Sequence, residues 1–266
     1  MTRFYRFLAR LYANRSVITA MAAHEVSSRY AGTFAGFLWS VVNPIITVAV
    51  YWLVFSVGFR VQPVGGVPFI VVFSAGLIPW MTFSECMILG ANSVVANSHL
   101  VTKMVFPTEI LPVINLAASL IIHCIMLGIL LALLFFNGIK FSLLNLQFFY
   151  YLFALSVFSL GLSWFFAAIN VFYRDTGQVL GVILNVWFWL TPIAWVIDML
   201  PERLRPFMRL NPMFYIVDGY QNSFIYGKPF WQDYGMGAYF WGVSLMFFVA
   251  GGFVFRKLKS EFADVL

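Results

Sequence analysis

The sequence predicts an all-α polytopic membrane protein with six transmembrane helices, and three observations carry that expectation. Long runs lack Asp, Glu, Lys and Arg altogether: 30–59, 110–139, 141–173, 176–197 and 234–255, with 61–84 and 86–102 divided only by Glu85. One crossing helix needs roughly 20 mostly apolar residues. The composition agrees, at 62% hydrophobic and 10% charged, where a soluble domain carries about 25% charged residues; mean hydropathy is +0.89. The basic residues gather at the ends of the apolar runs, where anionic headgroups and the topology rule place them.

The first element expected is a helix over 1–15. On a helical wheel Phe4, Phe7, Leu8 and Leu11 share one side and Arg3, Arg6 and Arg10 another. That pattern suits an amphipathic helix lying on the inner leaflet. Spans follow near 34–57, 69–92, 108–136, 148–171, 178–197 and 235–255. The first of them is too long for the h-region of a secretory signal, about 7–15 residues, and reads as an uncleaved span. With both termini cytoplasmic, the inner segments hold Arg3, Arg6, Arg10, Arg15, Arg29, Lys103, Arg174, Arg256, Lys257 and Lys259. The outer loops then hold fewer basic residues: Arg60, Lys140, Arg203, Arg205, Arg209 and Lys228. The basic excess favours that orientation.

The segment 198–233 is too long for a turn. Its apolar pieces 207–210, 213–217 and 223–226 are broken by Pro201, Pro206 and Pro212. They predict short re-entrant outer helices before the last span, which lipid tolerates when such backbone packs on protein. No stretch is polar enough for a separate soluble domain, so 1–266 reads as one transmembrane domain. Cys86 and Cys124 lie in apolar runs and are expected to be free thiols. The net charge of +6 belongs to membrane lipids and topology, and no nucleic acid partner is expected.

Little here suits catalysis, and no catalytic residue is assigned. A phosphate-cradling loop needs glycines followed by Gly-Lys-Ser/Thr, but Gly227-Lys228 runs into Pro229. His24-Glu25 opens like a zinc helix, yet Ser28 stands where the second histidine belongs; no metal site is expected. More informative are polar residues inside the spans. Glu85 lies deep in the second, near the face of Thr82 and Asn92, and an ionisable group there is a functional candidate. Asn115, Ser119 and His123 step along the third span, and Ser156, Ser159, Ser163 and Asn170 along the fourth. These are expected to be helix–helix hydrogen bonds. Gln178, Asn185 and Pro192 step along the fifth. The pairs Gly32/Gly36 and Gly177/Gly181 permit close helix packing.

Aromatic residues make up 20% of the chain. Tyr51, Trp52, Phe55 and Phe59 line the outer half of the first span, and Trp187, Trp189 and Trp195 lie along the fifth. Aromatic faces stack on the apolar faces of sugar rings, while indole N–H and phenol O–H bond hydroxyls. Together with Glu85, these residues are candidates for lining a substrate pathway.

Several short motifs recur in a known order. Arg29-Tyr30, Gly36-Phe37-Leu38-Trp39-Ser40 and Asn43-Pro44 open it; Gly76-Leu77-Ile78-Pro79-Trp80 and Phe106-Pro107-Thr108-Glu109-Ile110-Leu111-Pro112 continue it. Tyr173-Arg174-Asp175, Trp187-Phe188-Trp189-Leu190-Thr191-Pro192 and Leu210-Asn211-Pro212 close it. In this order and spacing, from Arg29 to Tyr226, the chain resembles the membrane subunit of bacterial polysaccharide ABC exporters. That is the type-2 ABC export permease family of O-antigen, capsule and teichoic-acid exporters. His24 before Glu25 departs from the family's usual arginine before an acid.

The resemblance implies a permease in the bacterial inner membrane that pairs with a second copy of itself. It also implies two ATP-binding-cassette ATPase subunits, which use ATP and Mg while this chain binds no cofactor. The segment 97–107 would carry the coupling helix, with Asn97 and Lys103 there, and with Arg174 and Asp175, as ATPase-coupling candidates. The cargo would be a lipid-linked polysaccharide moved outward. A type-2 exporter of drugs or other small molecules and a polytopic membrane enzyme are the other readings; aromatic density and the single 266-residue module favour glycan.

Overall fold

A computed structural model describes residues 12–29, 31–61, 63, 66–103, 106–195 and 197–266. The described residues form a helical bundle. Helix α1 is Arg15–Ser28, α2 Trp39–Trp52 with a π-helical continuation Leu53–Gly58, α3 Phe69–Ala96 and α4 Ser98–Lys103. Helix α5 is Leu111–Phe136, α6 Phe148–Phe172, α7 Thr176–Leu190, α8 Arg205–Met208 and α9 Pro212–Gln221 with a π-helical continuation Asn222–Tyr226. Helix α10 is Tyr234–Leu258 and α11 Phe262–Val265.

Among the described residues, five helical stretches are long and apolar enough to cross a bilayer: Gly36–Gly58, Phe69–Ala96, Thr108–Phe136, Leu143–Phe172 and Tyr234–Val265. The chain is thus a multi-pass helical membrane protein. The sixth expected span corresponds to α7, which has only 15 residues and stops at Leu190 rather than running to Ile197. Pro192 is the cause: a residue before proline is driven out of the α region, and Thr191 is extended at φ −100° and ψ 130°. The interfacial helix expected over 1–15 falls largely on residues 1–11, outside those described. Helix α1 was not anticipated by the sequence; it buries Ala22 and Val26 and packs along α5.

Helix α3 is the axis of the bundle. In its apolar window 78% of residues are buried, against 6% in the first span, because α5, α6, α7, α9 and α2 all lie against it. Pro68 precedes its first turn and Asn97 follows its last. The Asn97 side chain donates to the Ser93 carbonyl at 2.9 Å, satisfying an acceptor the helix end leaves open. The outer segment folds back onto this axis. Asn211 caps α9 by accepting the Met213 N–H at 3.0 Å, and Pro212 occupies the first helical position, where its missing N–H costs nothing.

Of the glycines the sequence suggested, only Gly177 meets another helix closely. Gly32 and Gly36 have φ of 78° and 51° and no neighbour where a side chain would go; they permit left-handed turns before α2. Gly181 is also open, while Gly177 sits beside the Asn92 side chain. The closest approach is between α6 and α10, where a Cβ at Gly161 would overlap the Phe248 backbone and one at Gly251 the Gly161 carbonyl. Gly251→Leu should therefore wedge these helices apart, at about 1–3 kcal/mol for an overpacked contact. The expected readout is a lower unfolding temperature in detergent than for Gly128→Ala, whose site is open. Equal unfolding temperatures for both variants would contradict this packing.

Candidate substrate and coupling surfaces

Two regions gather the chemistry. One is the groove between α2, α3 and α7, of about 350 Å³, lined by Thr47, Tyr51, Trp80, Ser84, Asn185 and Phe188. Hydroxyls, one amide and aromatic faces converge there. A second cavity of about 470 Å³ lies on the other flank of α7, between Phe158, Leu162, Trp187, Val243 and Phe247, and its walls are almost wholly apolar. Short α7 therefore has one flank on a mixed polar and aromatic groove and the other on an apolar one.

The aromatic candidates divide into two sets. Tyr51 lies against Phe73, with ring centroids 4.7 Å apart, and reaches the groove. Phe55 packs on Phe69 at 5.2 Å. Trp187 meets Phe83 edge-on at 5.2 Å and donates its indole N–H to the Asn211 side-chain oxygen at 2.7 Å. These three brace the bundle from within. By contrast Trp52, Phe59 and Trp189 are 45%, 71% and 55% exposed. Trp195 donates to the Trp189 carbonyl at 3.0 Å and stabilises the turn after α7.

Asn211 does more than cap α9. Its amide donates to the Thr191 hydroxyl at 2.9 Å, and that hydroxyl donates to the Trp187 carbonyl at 2.8 Å. One asparagine thereby ties the broken end of α7 to the outer helix. The sequence held a signal for this: Asn followed by Pro marks a capped helix start.

Glu85 is not free in lipid. Its carboxylate pairs with the Arg29 guanidinium, the two side chains being 25% and 17% exposed. A Glu25 oxygen lies 3.8 Å from the Arg29 Nε, one helical turn earlier. Glu85 sits eleven residues before the end of α3, about 17 Å along the helix axis, so the pair pins the connection after α1 deep against the bundle. Sequence reasoning flagged both residues without pairing them.

Of the other intramembrane polar residues, Asn115, Ser163, Asn170 and His123 bond between helices, whereas Ser156 bonds the Leu152 carbonyl of its own helix and the buried Ser119 and Ser159 hydroxyls have no hydrogen-bond partner among the described residues. Asn115 donates to the Leu89 carbonyl at 3.1 Å, Ser163 to Cys86 at 3.2 Å and Asn170 to Ala91 at 3.1 Å. His123 lies between Thr82 (2.7 Å from Nδ1) and Tyr220 (3.1 Å from Nε2). His123 thus joins α3, α5 and α9. Among the described residues no three His, Cys, Asp or Glu side chains gather as metal ligands would.

The second region is the bundle end that carries α4. The exposed side chains of Thr102 and Lys103 lie on its last turn, and the exposed Arg174 and Asp175 form the tight connection from α6 to α7. Exposed Arg256 and Lys257 end α10 beside them. The four coupling candidates therefore share one end of the molecule.

Residues 16–225 match the family model of the ABC-2 type transporter. The chain is 30% identical over 262 residues to an O-antigen export system permease protein of Myxococcus xanthus, covering 97% of this chain and 98% of that one. It is 28% identical over 253 residues to a protein of the same description from Klebsiella pneumoniae, covering 94% and 95%. A capsule polysaccharide export inner-membrane protein of Neisseria meningitidis is 23% identical over 217 residues, 78% of each chain.

Removing one member of a fully buried ion pair strands the other charge, at about 3–5 kcal/mol, an upper bound for this part-buried pair. Arg29→Met and Glu85→Met should each destabilise the protein by up to that order, while the double variant should lose less than either. Thermal unfolding of all four proteins in one detergent measures this; additive losses would refute the pairing.

Proposed function

Because this chain belongs to the ABC-2 type transporter family, we propose that it is the permease subunit of an exporter that moves a lipid-linked, O-antigen-like polysaccharide outward across the bacterial inner membrane. The observation that carries this reading is coverage: likeness to O-antigen export permeases extends over nearly the whole of both chains. Six crossings, α7 included, would put both termini on one side of the membrane, and the basic excess of the inner segments favours the cytoplasm.

Two copies of the chain would face each other through their least buried apolar helices, α2 and α7. Trp52, Phe59 and Trp189, exposed on those helices, would line the pathway, and the groove at Thr47, Ser84 and Asn185 would offer hydroxyl and amide partners to sugar. Stacking on several aromatic faces holds a moving chain weakly at many places, which processive export requires. Two ATP-binding-cassette subunits would dock beneath on α4, with Asn97 fixing its start and Lys103, Arg174 and Asp175 offering charged contacts. ATP and Mg²⁺ would be used by those subunits, and this chain would hold no cofactor.

Purified alone, the protein should hydrolyse no ATP, and activity should arise only when an ATP-binding-cassette subunit co-purifies with it. Robust hydrolysis by the chain alone would sink the proposal. The lining has its own test. Single Trp→Phe changes at Trp52 or Trp189 should alter export less than twofold, since a stacking face remains. Combined replacement of Trp52, Phe59 and Trp189 by leucine should slow export severalfold while the complex still assembles, because leucine keeps apolar burial without a π face. Normal export by the triple variant would place these residues against lipid instead.

A further inference from the structure

The helical stretch of the last span runs on to Val265. Beyond Leu258 the chain makes a 3₁₀ turn over Lys259–Glu261 and then the single turn α11. This end of the helix is tied to the bundle by specific contacts. Phe262 is fully buried, its ring 5.3 Å from Phe255 and 6.3 Å from Phe172 at the ends of α10 and α6. The Lys259 ammonium pairs with the Glu109 carboxylate in the turn that opens α5, the two side chains being 34% and 14% exposed. The backbone oxygen of the same Glu109 accepts the Trp164 indole N–H of α6 at 3.0 Å. Helix α11 also lies directly against α4.

Helix α4 needs such a neighbour. It has six residues and buries none of them fully, and only Leu100 and Val101 press on the core. A helix this short, held by one face at one end of α3, tilts under load unless something backs it.

We infer that residues 259–265 are a clamp that backs α4, so that force applied to α4 reaches α5 and α6 instead of being lost in tilting. Lys259 and Phe262 are then positioning residues for coupling ATP hydrolysis to export, and Glu109 is the anchor to which Lys259 is tied. The inference rests on α4 being the ATPase-docking helix.

The test uses the chain in complex with its ATP-binding-cassette subunit, reconstituted in proteoliposomes, and reads glycan exported per ATP hydrolysed. Lys259→Glu and Glu109→Lys should each lower that ratio at least threefold with the complex still assembled. The charge-swapped double variant should recover most of it, and Asp264→Asn, on the exposed side of α11, should match the parent. Phe262→Ala should lower the ratio and Phe262→Leu should not. A readout independent of the ATPase is the distance between spin labels at Thr102 and Ala263, with Cys86 and Cys124 replaced. It should be narrow in the parent and broad in Phe262→Ala. An unchanged ratio in the single variants of a working complex, or no recovery in the swap, would overturn the clamp alone. Failure of any ATP-binding-cassette subunit to drive the chain would overturn the transport reading and the coupling role with it, while the spin-label distances would still report on the clamp.

Discussion

Helix α3 has almost no face left for lipid, and the rest of the bundle depends on that. In hydrocarbon there is no water to satisfy a polar group, so each one must find a partner inside the protein. Neighbouring helices supply side chains to α3 accordingly: Asn115 from α5, and Ser163 and Asn170 from α6, each bond an α3 carbonyl. His123 bonds Thr82, and Arg29 pairs with Glu85. Such hydrogen bonds average about 0.6 kcal/mol apiece, so none alone holds the fold. Their value is register: each fixes the height and rotation of one helix against the same axis, while stacked Phe83 and Phe158, with Trp187 edge-on to them, fill the space between.

The stability of this axis frees the periphery for function. Helices α2 and α7 carry exposed apolar and aromatic side chains on faces that no other described residue covers. At the α4 end the reverse holds, with charged groups displayed on short elements that are braced from behind. One molecule thus has a rigid centre, an apolar flank open to the bilayer or to another copy, and a polar end suited to a water-soluble partner.

Much of this was legible from residue order alone. Charge-free runs locate α3, α5, α6 and α10 to within a few residues, because a bilayer imposes the same length on every crossing. The buried helix α9 also starts at the break that Pro212 makes. Three-dimensional partnerships were not legible. Nothing in one sequence says that Glu85 meets Arg29, 56 residues earlier, or that Trp187 spends its indole N–H on Asn211. Glycine spacing was only partly informative: Gly-xxx-Gly marks a close-packing face on one helix, and Gly177 does meet Asn92, whereas Gly161 and Gly251 are single glycines on two helices that meet only in the fold. Helix α1 escaped because its polar and apolar residues are mixed around the wheel, and it is ordered by docking on α5 rather than by a pattern of its own.

The abrupt end of α7 at Thr191-Pro192 has a consequence for the membrane itself. Fifteen helical residues rise about 22 Å, whereas a typical hydrocarbon core is about 30 Å thick. A span this short is accommodated by local thinning of the bilayer or by protein filling the missing depth, and α9, tethered to the α7 end through Asn211, is placed to do the second. Were α7 to cross with the bilayer thinned beside it, the insulating layer along that flank would be shallower, and because dielectric cost rises with the depth of oil a hydrated solute must cross, the barrier there would be lower.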